Sequence, residues 1–222
     1  MKKLLKGILE FRQNVLEDYK ETFARLALTQ TPDVLFIACS DSRVVPNLFA
    51  STNPGDLFVL RNIGNLVPPY ASDTQEQGSQ SVAAALEFAL LKLKVPHIIV
   101  CGHSACGAMT ALCSQEKLDA LPHLRAWLNA ANVTPEKFKD KLEFKSVLSP
   151  VDQLSQINIL LQIEHLKTYP LVQQRIQEGK LVLHGWWFDI AKADVYAFEE
   201  EFKKFMLIDE EEAARIARKL DT

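Results

Sequence analysis

The sequence has few cysteines and little net charge, and each of these properties excludes some classes of protein. Its 222 residues include only four cysteines and carry a net charge of −3. Four cysteines are too few for a disulfide scaffold in a chain of this size, and in a reducing compartment a cysteine paired with a histidine more often binds metal or takes part in catalysis. Because the charge is weak and no lysine/arginine cluster interleaves with aromatics, nucleic acid or an anionic membrane is not expected as the main partner.

Long hydrophobic runs are also absent. No apolar stretch approaches the roughly 18 residues needed to span a bilayer. The lysines at positions 2, 3 and 6 are followed by acidic residues in a helical pattern, which is unlike a secretory or transit peptide. We therefore expect an intracellular, cytoplasmic protein.

The overall composition is that of an ordinary globular protein. Hydrophobic residues make up 48% and charged residues 24% of the chain. We see no internal repeat, low-complexity tract or Gly/Ser-rich linker. We therefore predict a single domain over residues 1–222.

Residues 3–28 predict one long amphipathic helix. Its apolar residues recur every three or four positions and form one stripe, which consists of Leu4, Ile8, Phe11, Val15, Tyr19, Phe23 and Leu26. The stripe either packs on the chain's own core, or residues 1–28 form a helical arm that lies over a partner subunit. The sequence alone leaves both possibilities open.

Short apolar runs and helical patterns alternate along the rest of the chain. Residues 34–38, 57–60, 97–101 and 181–188 have the character of buried strands, and residues 81–93 carry apolar side chains at helical spacing. A strand, helix, strand order implies parallel strands. We predict an α/β fold with a mainly parallel central β-sheet, flanking helices and the long N-terminal helical arm.

Two of the predicted strands end at residues that bind metals. Cys39 follows the first strand and His103 the third, and Cys106 lies three residues after His103, so the last two face the same way on a tight loop or first helical turn. If the two strands end side by side, Cys39 joins them. Zinc prefers these ligand types, and three protein ligands with one open position are typical of a catalytic site. We predict one zinc ion per chain on these residues.

The remaining cysteines are weaker candidates for a fourth ligand. If Cys113 shares a helix with Cys106, seven residues at about 1.5 Å each place them about 10 Å apart. Two sulfurs on one zinc can be no more than about 4.6 Å apart. Cys101 lies at a strand end, where a buried small hydrophobe is the commoner interpretation, and it stays a minor alternative.

Asp41 and Arg43 follow the first ligand closely. In an extended segment their side chains share a face, and the arginine can hold the carboxylate through two hydrogen bonds. A surface ion pair alone would contribute little. Two residues after a ligand, however, Asp41 can either accept a hydrogen bond from zinc-bound water or itself occupy the open coordination position. Arg43 would decide between these by holding Asp41 away from the metal.

Three segments of the chain resemble the signature of the beta-class carbonic anhydrases. They are residues 39–43 (CSDSR), 61–65 (RNIGN) and 102–107 (GHSACG), in the family's order and approximate spacing, and the similarity continues into residues 184–186 (HGW). The resemblance implies reversible hydration of carbon dioxide to bicarbonate and a proton, in homodimers or larger assemblies. It also implies zinc on Cys39, His103 and Cys106, with Asp41 and Arg43 as the catalytic dyad.

The resemblance also implies a substrate pocket. In the plant-like branch of the family, a glutamine nine residues before the first cysteine and an aromatic nineteen after it help to form this pocket, and Gln30 and Phe58 stand there. That branch commonly has a tyrosine where this chain has Phe88, so one pocket hydrogen bond is missing. Phe58, Ile63 and Phe88 are candidates for an apolar wall around carbon dioxide, although core packing explains each of them at least as well.

The ligand set predicts how the reaction depends on pH. Zinc lowers the pKa of its bound water, and the resulting hydroxide attacks a small electrophilic carbon while Asp41 orients it and Gln30 holds the product oxygen. Two thiolates and a neutral imidazole cancel the zinc charge, whereas three histidines leave it at plus two. The pKa of the water should therefore lie above about 7, and activity should rise on the alkaline side.

Other functions and other residues receive plainer interpretations. Carbon disulfide or carbonyl sulfide hydrolysis on the same zinc site is the nearest alternative, since both molecules are linear with an electrophilic carbon. A zinc-binding protein without catalysis is another, and thiol-redox chemistry is disfavoured because there is no Cys-x-x-Cys pair. Four histidines lack metal-like spacing to a second ligand and are expected to be structural or exposed: His97, His123, His165 and His184.

Overall fold

The computed structural model describes residues 1–71, 80–114, 118–130, 138, 141–144 and 148–220. Within these residues the chain builds a central sheet of six strands: β1 (Val34–Cys39), β2 (Leu57–Asn62), β3 (His97–His103), β4 (Val182–Asp189), β5 (Asp194–Glu199) and β6 (Lys204–Leu207). Their order across the sheet is β2-β1-β3-β4-β5-β6. The first four strands are parallel and the last two pair antiparallel. The predicted α/β fold with a mainly parallel sheet is confirmed.

Helices connect and flank the strands. In the described residues they are α1 (Lys2–Glu10), α2 (Leu16–Leu26), α3 (Pro46–Phe49), α4 (Gln80–Glu87), α5 (Gly107–Cys113), α6 (Pro122–Ala130), α7 (Pro150–Leu166), α8 (Pro170–Gln177) and α9 (Glu210–Leu220). Two wider π-helical stretches, Phe11–Val15 and Phe88–Leu93, continue α1 and α4, and a 3₁₀ turn, Ile63–Asn65, follows β2. None of the helices in this part of the chain is long and apolar enough to cross a membrane.

The predicted N-terminal helix is present and forms an exposed arm. It runs through α1, the π-helical stretch and α2, and no residue of these three elements, all of them described, is buried. Leu4 is 65% and Ile8 56% exposed. The arm is anchored at its end, where Leu26 packs against Gly55 so closely that a Cβ on Gly55 would lie 2.6 Å from Leu26 Cδ2. Packing of the stripe on the chain's own core is therefore not observed.

The central strands explain why their sequences are continuously apolar. β1 and β3 each have a neighbour on both sides, and nearly all of their residues are buried. Strands covered on both faces have no solvent-facing positions, so hydrophobic residues do not alternate with polar ones. This pattern made both strands, and the residues at their ends, predictable.

Helix α7 packs against β3 and β4 through two glycines. A Cβ on Gly102 would lie 2.9 Å from Ile159 Cδ1, and one on Gly185 would lie 3.0 Å from Ile159 Cγ2. The missing side chains let the helix lie close to the sheet, as occurs where glycine permits a near approach of elements. Polar groups of α7 thereby reach the ends of the strands that carry the predicted ligands.

The antiparallel pair β5 and β6 was not predicted. Residues 190–193 join β4 to β5, and residues 200–203 join β5 to β6. Each connection ends in a residue with positive φ, Ala193 at 57° and Lys203 at 51°. Such positions usually carry glycine or asparagine, so alanine and lysine gave no turn signal.

Candidate metal centre

The three predicted ligands meet at the carboxyl edge of the sheet. Cys39 ends β1, His103 ends the neighbouring β3, and Cys106 is the residue before α5. All three are buried, and their ligand atoms lie within 4.8 Å of one another. One metal ion can contact all three.

His103 has the protonation pattern of a metal ligand. Its Nδ1 lies 2.9 Å from the carbonyl oxygen of Ser104. Because a carbonyl only accepts, Nδ1 carries the proton and Nε2 is left with its lone pair. Nε2 is buried and has no hydrogen-bond partner among the residues that the structure describes, which is unfavourable unless another group satisfies it. The residues therefore fit a metal ion, with Nε2 as the ligand atom.

The two cysteines form a coupled pair. A hydrogen bond from Cys106 lowers the pKa of Cys39 strongly against the opposing effect of burial, and hydrogen bonds from the backbone of Gly64 and Asp41 lower it further. The Gly64 N–H lies 3.4 Å from Cys39 Sγ. The pKa of Cys106 is raised, because it shares its proton with Cys39 and is buried. Cys39 is therefore the thiolate of the pair, and a divalent metal would displace the remaining proton from Cys106.

Asp41 lies beside this group and is held by Arg43. Arg43 donates from Nε to Oδ1 at 2.9 Å and from Nη2 to Oδ2 at 2.7 Å. This pairing holds the pKa of the Asp41 carboxyl well below its ordinary value. Oδ2 lies 3.9 Å from His103 Nε2. Arg43 thus binds both carboxylate oxygens of Asp41, and Asp41 lies beside, but outside, the group of three ligand atoms.

Arg61, in the second signature segment, fixes the chain around Cys39. Its guanidinium donates to the Cys39 carbonyl at 3.1 and 2.9 Å and to the Asp41 carbonyl at 2.7 Å. These bonds cross from β2 to the end of β1. They hold the first ligand and the aspartate in one rigid segment, although sequence analysis gave Arg61 no such role.

Helix α7 supplies a second set of supports that sequence analysis missed. Ser155 Oγ donates to the His103 carbonyl at 2.8 Å, and Asn158 Nδ2 donates to the Gly64 carbonyl at 3.0 Å. Both side chains are almost fully buried. Polar residues inside an otherwise apolar helix need partners, so their presence was a usable signal.

The predicted substrate residues divide into two groups. Ile63 follows β2 directly and precedes Gly64, which contacts Cys39, so it lies next to the metal centre. Phe58 and Phe88 stack on each other with ring centroids 5.7 Å apart. In the register of β1 and β2, Phe58 lies opposite Leu35, whereas Cys39 lies opposite Asn62.

Gln30, Phe58 and Phe88 do not reach the metal centre of their own chain. Four residues along a strand separate Phe58 from Asn62, a distance of about 13 Å. Gln30 is exposed and precedes β1, so it lies towards the amino edge of the sheet. The structure thus places Ile63, Asp41 and Arg43 beside the three ligands, whereas Gln30, Phe58 and Phe88 lie towards the opposite edge of the sheet.

The remaining cysteines and histidines lie outside the group. Cys101 is fully buried among apolar residues, and burial raises the pKa of its thiol. Cys113 is an exposed free thiol. His184 Nε2 lies 3.2 Å from His97 Nδ1, and burial, together with His97, lowers the pKa of His184 to about 4. This pair is therefore neutral near pH 7.

The chain has the features of a metal-binding α/β protein, with a buried Cys-His-Cys group at the carboxyl edge of a mainly parallel sheet. Comparison with known proteins identifies its family. Residues 34–195 match the carbonic anhydrase family. A carbonic anhydrase of Pseudomonas aeruginosa is 39% identical, over 97% of this chain and 95% of the relative. One of Synechococcus elongatus is also 39% identical, over 88% of this chain and 70% of the relative.

Solved structures agree with the sequence relatives. The beta-carbonic anhydrase CcaA superposes with a TM-score of 0.81 at 37% identity, covering 93% of this chain and 98% of its own. A tetrameric beta-carbonic anhydrase from Sordaria macrospora has a TM-score of 0.74 at 30% identity, with coverage of 88% and 95%. The chain belongs to the beta-class carbonic anhydrases.

Proposed function

We propose that this protein catalyses the reversible hydration of carbon dioxide to bicarbonate and a proton, with one zinc ion on Cys39, His103 and Cys106. The observation that carries the proposal is the buried His103 Nε2, which has no hydrogen-bond partner in the described part of the chain and lies within 4.8 Å of two cysteine sulfurs. The chain that holds it is a member of the carbonic anhydrase family. Zinc, when bound, supplies a Lewis acid that lowers the pKa of a water molecule.

Asp41 and Arg43 act on that water in the proposed reaction. Asp41 stays ionised because Arg43 lowers its pKa, so it can only accept a hydrogen bond. Accepting one from the nucleophile orients the oxygen towards carbon dioxide. Arg43 keeps the carboxylate from binding the metal itself, and Ile63 supplies apolar wall beside the open position.

We further propose that the chain belongs to the plant-like branch of the family and forms a homodimer or larger assembly in which one copy completes the pocket of another. Phe58 lies too far along β2 to reach the metal centre of its own chain, and neither Phe88, which stacks on Phe58, nor Gln30, which precedes β1, reaches it. The exposed stripe of the N-terminal arm needs a covering surface, and a second copy would supply it. The similar Sordaria macrospora protein is described as tetrameric.

We also propose that the protein works in the cytoplasm. All four cysteines are free thiols, and two of them belong to the candidate metal centre. Thiols of this kind persist in a reducing compartment. Measuring the protein in fractionated cells would test this location directly.

Zinc content and carbon dioxide hydration, measured together, test the proposed activity. The wild type should hold about one zinc per chain, and Cys39→Ser should lose zinc and at least about 100-fold of the activity, because a hydroxyl is a poor zinc ligand. Cys113→Ser is the matched control, since this exposed thiol lies outside the group, and it should match the wild type. Parallel assays with carbon disulfide and carbonyl sulfide distinguish the related hydrolyses. Full activity in Cys39→Ser would contradict the proposal.

A further inference from the structure

We propose that Asp152, at the start of α7, is a positioning residue of the metal centre, which acts by fixing the Ala105 peptide between the two ligands His103 and Cys106. Its expected effect on hydration rests on the proposed function. Its effect on the metal-binding segment follows from the geometry of that segment alone.

Ala105 has a backbone conformation that needs support. Its φ is +50°, in the left-handed region that a residue with a Cβ disfavours. Its side chain is exposed, so packing does not impose this conformation. We therefore attribute this conformation to hydrogen bonds that the N–H and carbonyl groups of Ala105 form.

Two hydrogen bonds hold the peptide groups of Ala105 from opposite sides. Its N–H donates to Asp152 Oδ1 at 2.8 Å. Its carbonyl accepts from Arg43 Nη2 at 3.2 Å, and the same Nη2 donates to Asp41 Oδ2 at 2.7 Å. A continuous series of contacts therefore leads from Asp152 through Ala105 and Arg43 to Asp41.

Asp152 is itself firmly placed. Ser149 Oγ donates to Asp152 Oδ2 at 2.8 Å, and α7 is rigidly packed against β3 and β4. One helical turn further on, Ser155 donates to the His103 carbonyl at 2.8 Å. Residues three apart on a helix share a face. The first two turns of α7 thus hold the ligand segment at two points, His103 and Ala105.

Loss of the Asp152 carboxylate should disturb both the metal ligands and the dyad. Without its acceptor, the Ala105 peptide can leave the left-handed conformation. Its carbonyl would then turn away from Arg43, and Cys106, the next residue, would shift from the other two ligands. We expect easier metal loss and a less firmly held Asp41.

Asp152→Ala and Asp152→Asn test the proposal with three measurements. These are hydrogen exchange of the Ala105 amide in the zinc-free protein, the rate of zinc loss to a chelator, and kcat/KM for carbon dioxide hydration. Asp152→Ala should raise amide exchange and zinc loss about tenfold or more and lower kcat/KM by a similar factor, as supports behind metal ligands typically do. Asp152→Asn keeps an acceptor without the charge, so it should lie between this variant and the wild type.

Asp209→Ala is the matched control for a general loss of stability. Like Asp152, Asp209 lies at the start of a helix and accepts a hydrogen bond from a backbone N–H. The donor is Glu212, at 2.9 Å from Asp209 Oδ1, and it belongs to α9, the helix that Asp209 precedes. This variant should lower the melting temperature and leave the three measurements within about twofold of the wild type. An equal effect of both substitutions would reduce Asp152 to an ordinary helix cap and overturn the proposal.

Ala105→Gly provides a rescue that a merely structural role would not show. Glycine adopts positive φ without the steric cost, so adding Ala105→Gly to Asp152→Ala should slow zinc loss back towards the wild-type rate. The proposal would be contradicted if zinc loss and amide exchange were unchanged in Asp152→Ala, or if Ala105→Gly did not slow zinc loss.

If Asp152→Ala does not fold, Asp152→Asn provides the same comparison. If the wild type holds zinc but does not hydrate carbon dioxide, the proposed function fails, while zinc loss and amide exchange still decide the role of Asp152.

Discussion

At the scale of single residues, the site depends on where its protons lie. The Ser104 carbonyl holds the proton of His103 on Nδ1, which leaves Nε2 for the metal. Cys39 is the thiolate of the cysteine pair because Cys106 hydrogen-bonds to it. Arg43 keeps Asp41 ionised. Each of these states is set by one identifiable neighbour, so each can be changed by one substitution.

Arg43→Ala should separate the role of the dyad from that of the ligands. Asp41 would no longer be held away and could take the open coordination position. Hydration near neutral pH should fall about 100-fold, the range expected for loss of an oriented proton acceptor. Zinc content should stay near one per chain, because the three ligands are untouched. Stopped-flow hydration and metal analysis measure the two effects.

Arg125→Ala is the matched control for that substitution. Arg125 also forms an arginine–aspartate pair, with Asp119 at 3.1 Å, and both side chains are largely exposed. Surface pairs of this kind have little effect, so the variant should match the wild type. Unchanged hydration in Arg43→Ala, or loss of its zinc, would show that the dyad does not work as described.

The metal ligands could be predicted from the sequence, but the residues that hold the ligand segments in place could not. Cys39 and His103 directly follow continuous apolar strands, which sequence patterns indicate well. Asp152, Ser155 and Asn158 act across more than forty residues of chain, through contacts that exist only after α7 packs on the sheet. Their partners are backbone groups, which carry no sequence signal at all.

At the scale of elements, the site depends on how closely α7 approaches β3. Gly102→Ala should force them apart, because the new Cβ would lie 2.9 Å from Ile159 Cδ1 and 3.0 Å from Ser155 Oγ. Overpacking of this kind costs about 1–3 kcal/mol of unfolding free energy. Urea unfolding measures the loss, and weaker zinc retention should accompany it because Ser155 supports His103.

Gly7→Ala is the matched control for the same chemical change. Gly7 lies in α1, and a Cβ there would meet nothing within 4 Å. Alanine is the better helix former, so local helix stability should stay unchanged or rise by about 0.5–1 kcal/mol. A Gly102→Ala protein as stable as the wild type would show that the helix does not depend on this close approach.

The ends of helices and strands could be predicted from the sequence only where the turn carries a residue that is typical of turns. Gly179, with φ of +66°, lies just past the end of α8, where a glycine in the left-handed conformation is a common stop signal in a sequence. The hairpins at Ala193 and Lys203 use the same left-handed region without glycine, so β5 and β6 were missed. Tertiary contacts can impose a conformation that local propensity disfavours.

At the scale of the whole molecule, the exposed arm and the divided pocket predict an assembly. Leu4→Ser together with Ile8→Ser should reduce the mass in sedimentation from that of two or more copies towards that of one chain, 25.0 kDa. The reason is that apolar area in the contact is replaced by hydroxyls. Hydration should fall with the mass, because in the proposed assembly Gln30, Phe58 and Phe88 complete the substrate pocket of another copy.

Lys2→Ser together with Lys6→Ser is the control on the opposite face of the same helix. It removes two exposed side chains outside the stripe and should leave the mass unchanged. A wild type that sediments as one chain would overturn the assembly while leaving the zinc centre intact. The sequence predicted the apolar stripe but not the surface that covers it. An amphipathic helix has the same pattern whether it packs on the core of its own chain or on a partner subunit.

Carbon dioxide hydration measured against pH, with zinc content determined on the same samples, tests whether zinc on Cys39, His103 and Cys106 catalyses the reaction. Two thiolates and one neutral imidazole leave zinc with less positive charge than three histidines would. We expect about one zinc per chain and a rate that rises on the alkaline side, with an apparent pKa above about 7. Hydration without zinc, or a rate already flat from acid to alkaline pH, would contradict it.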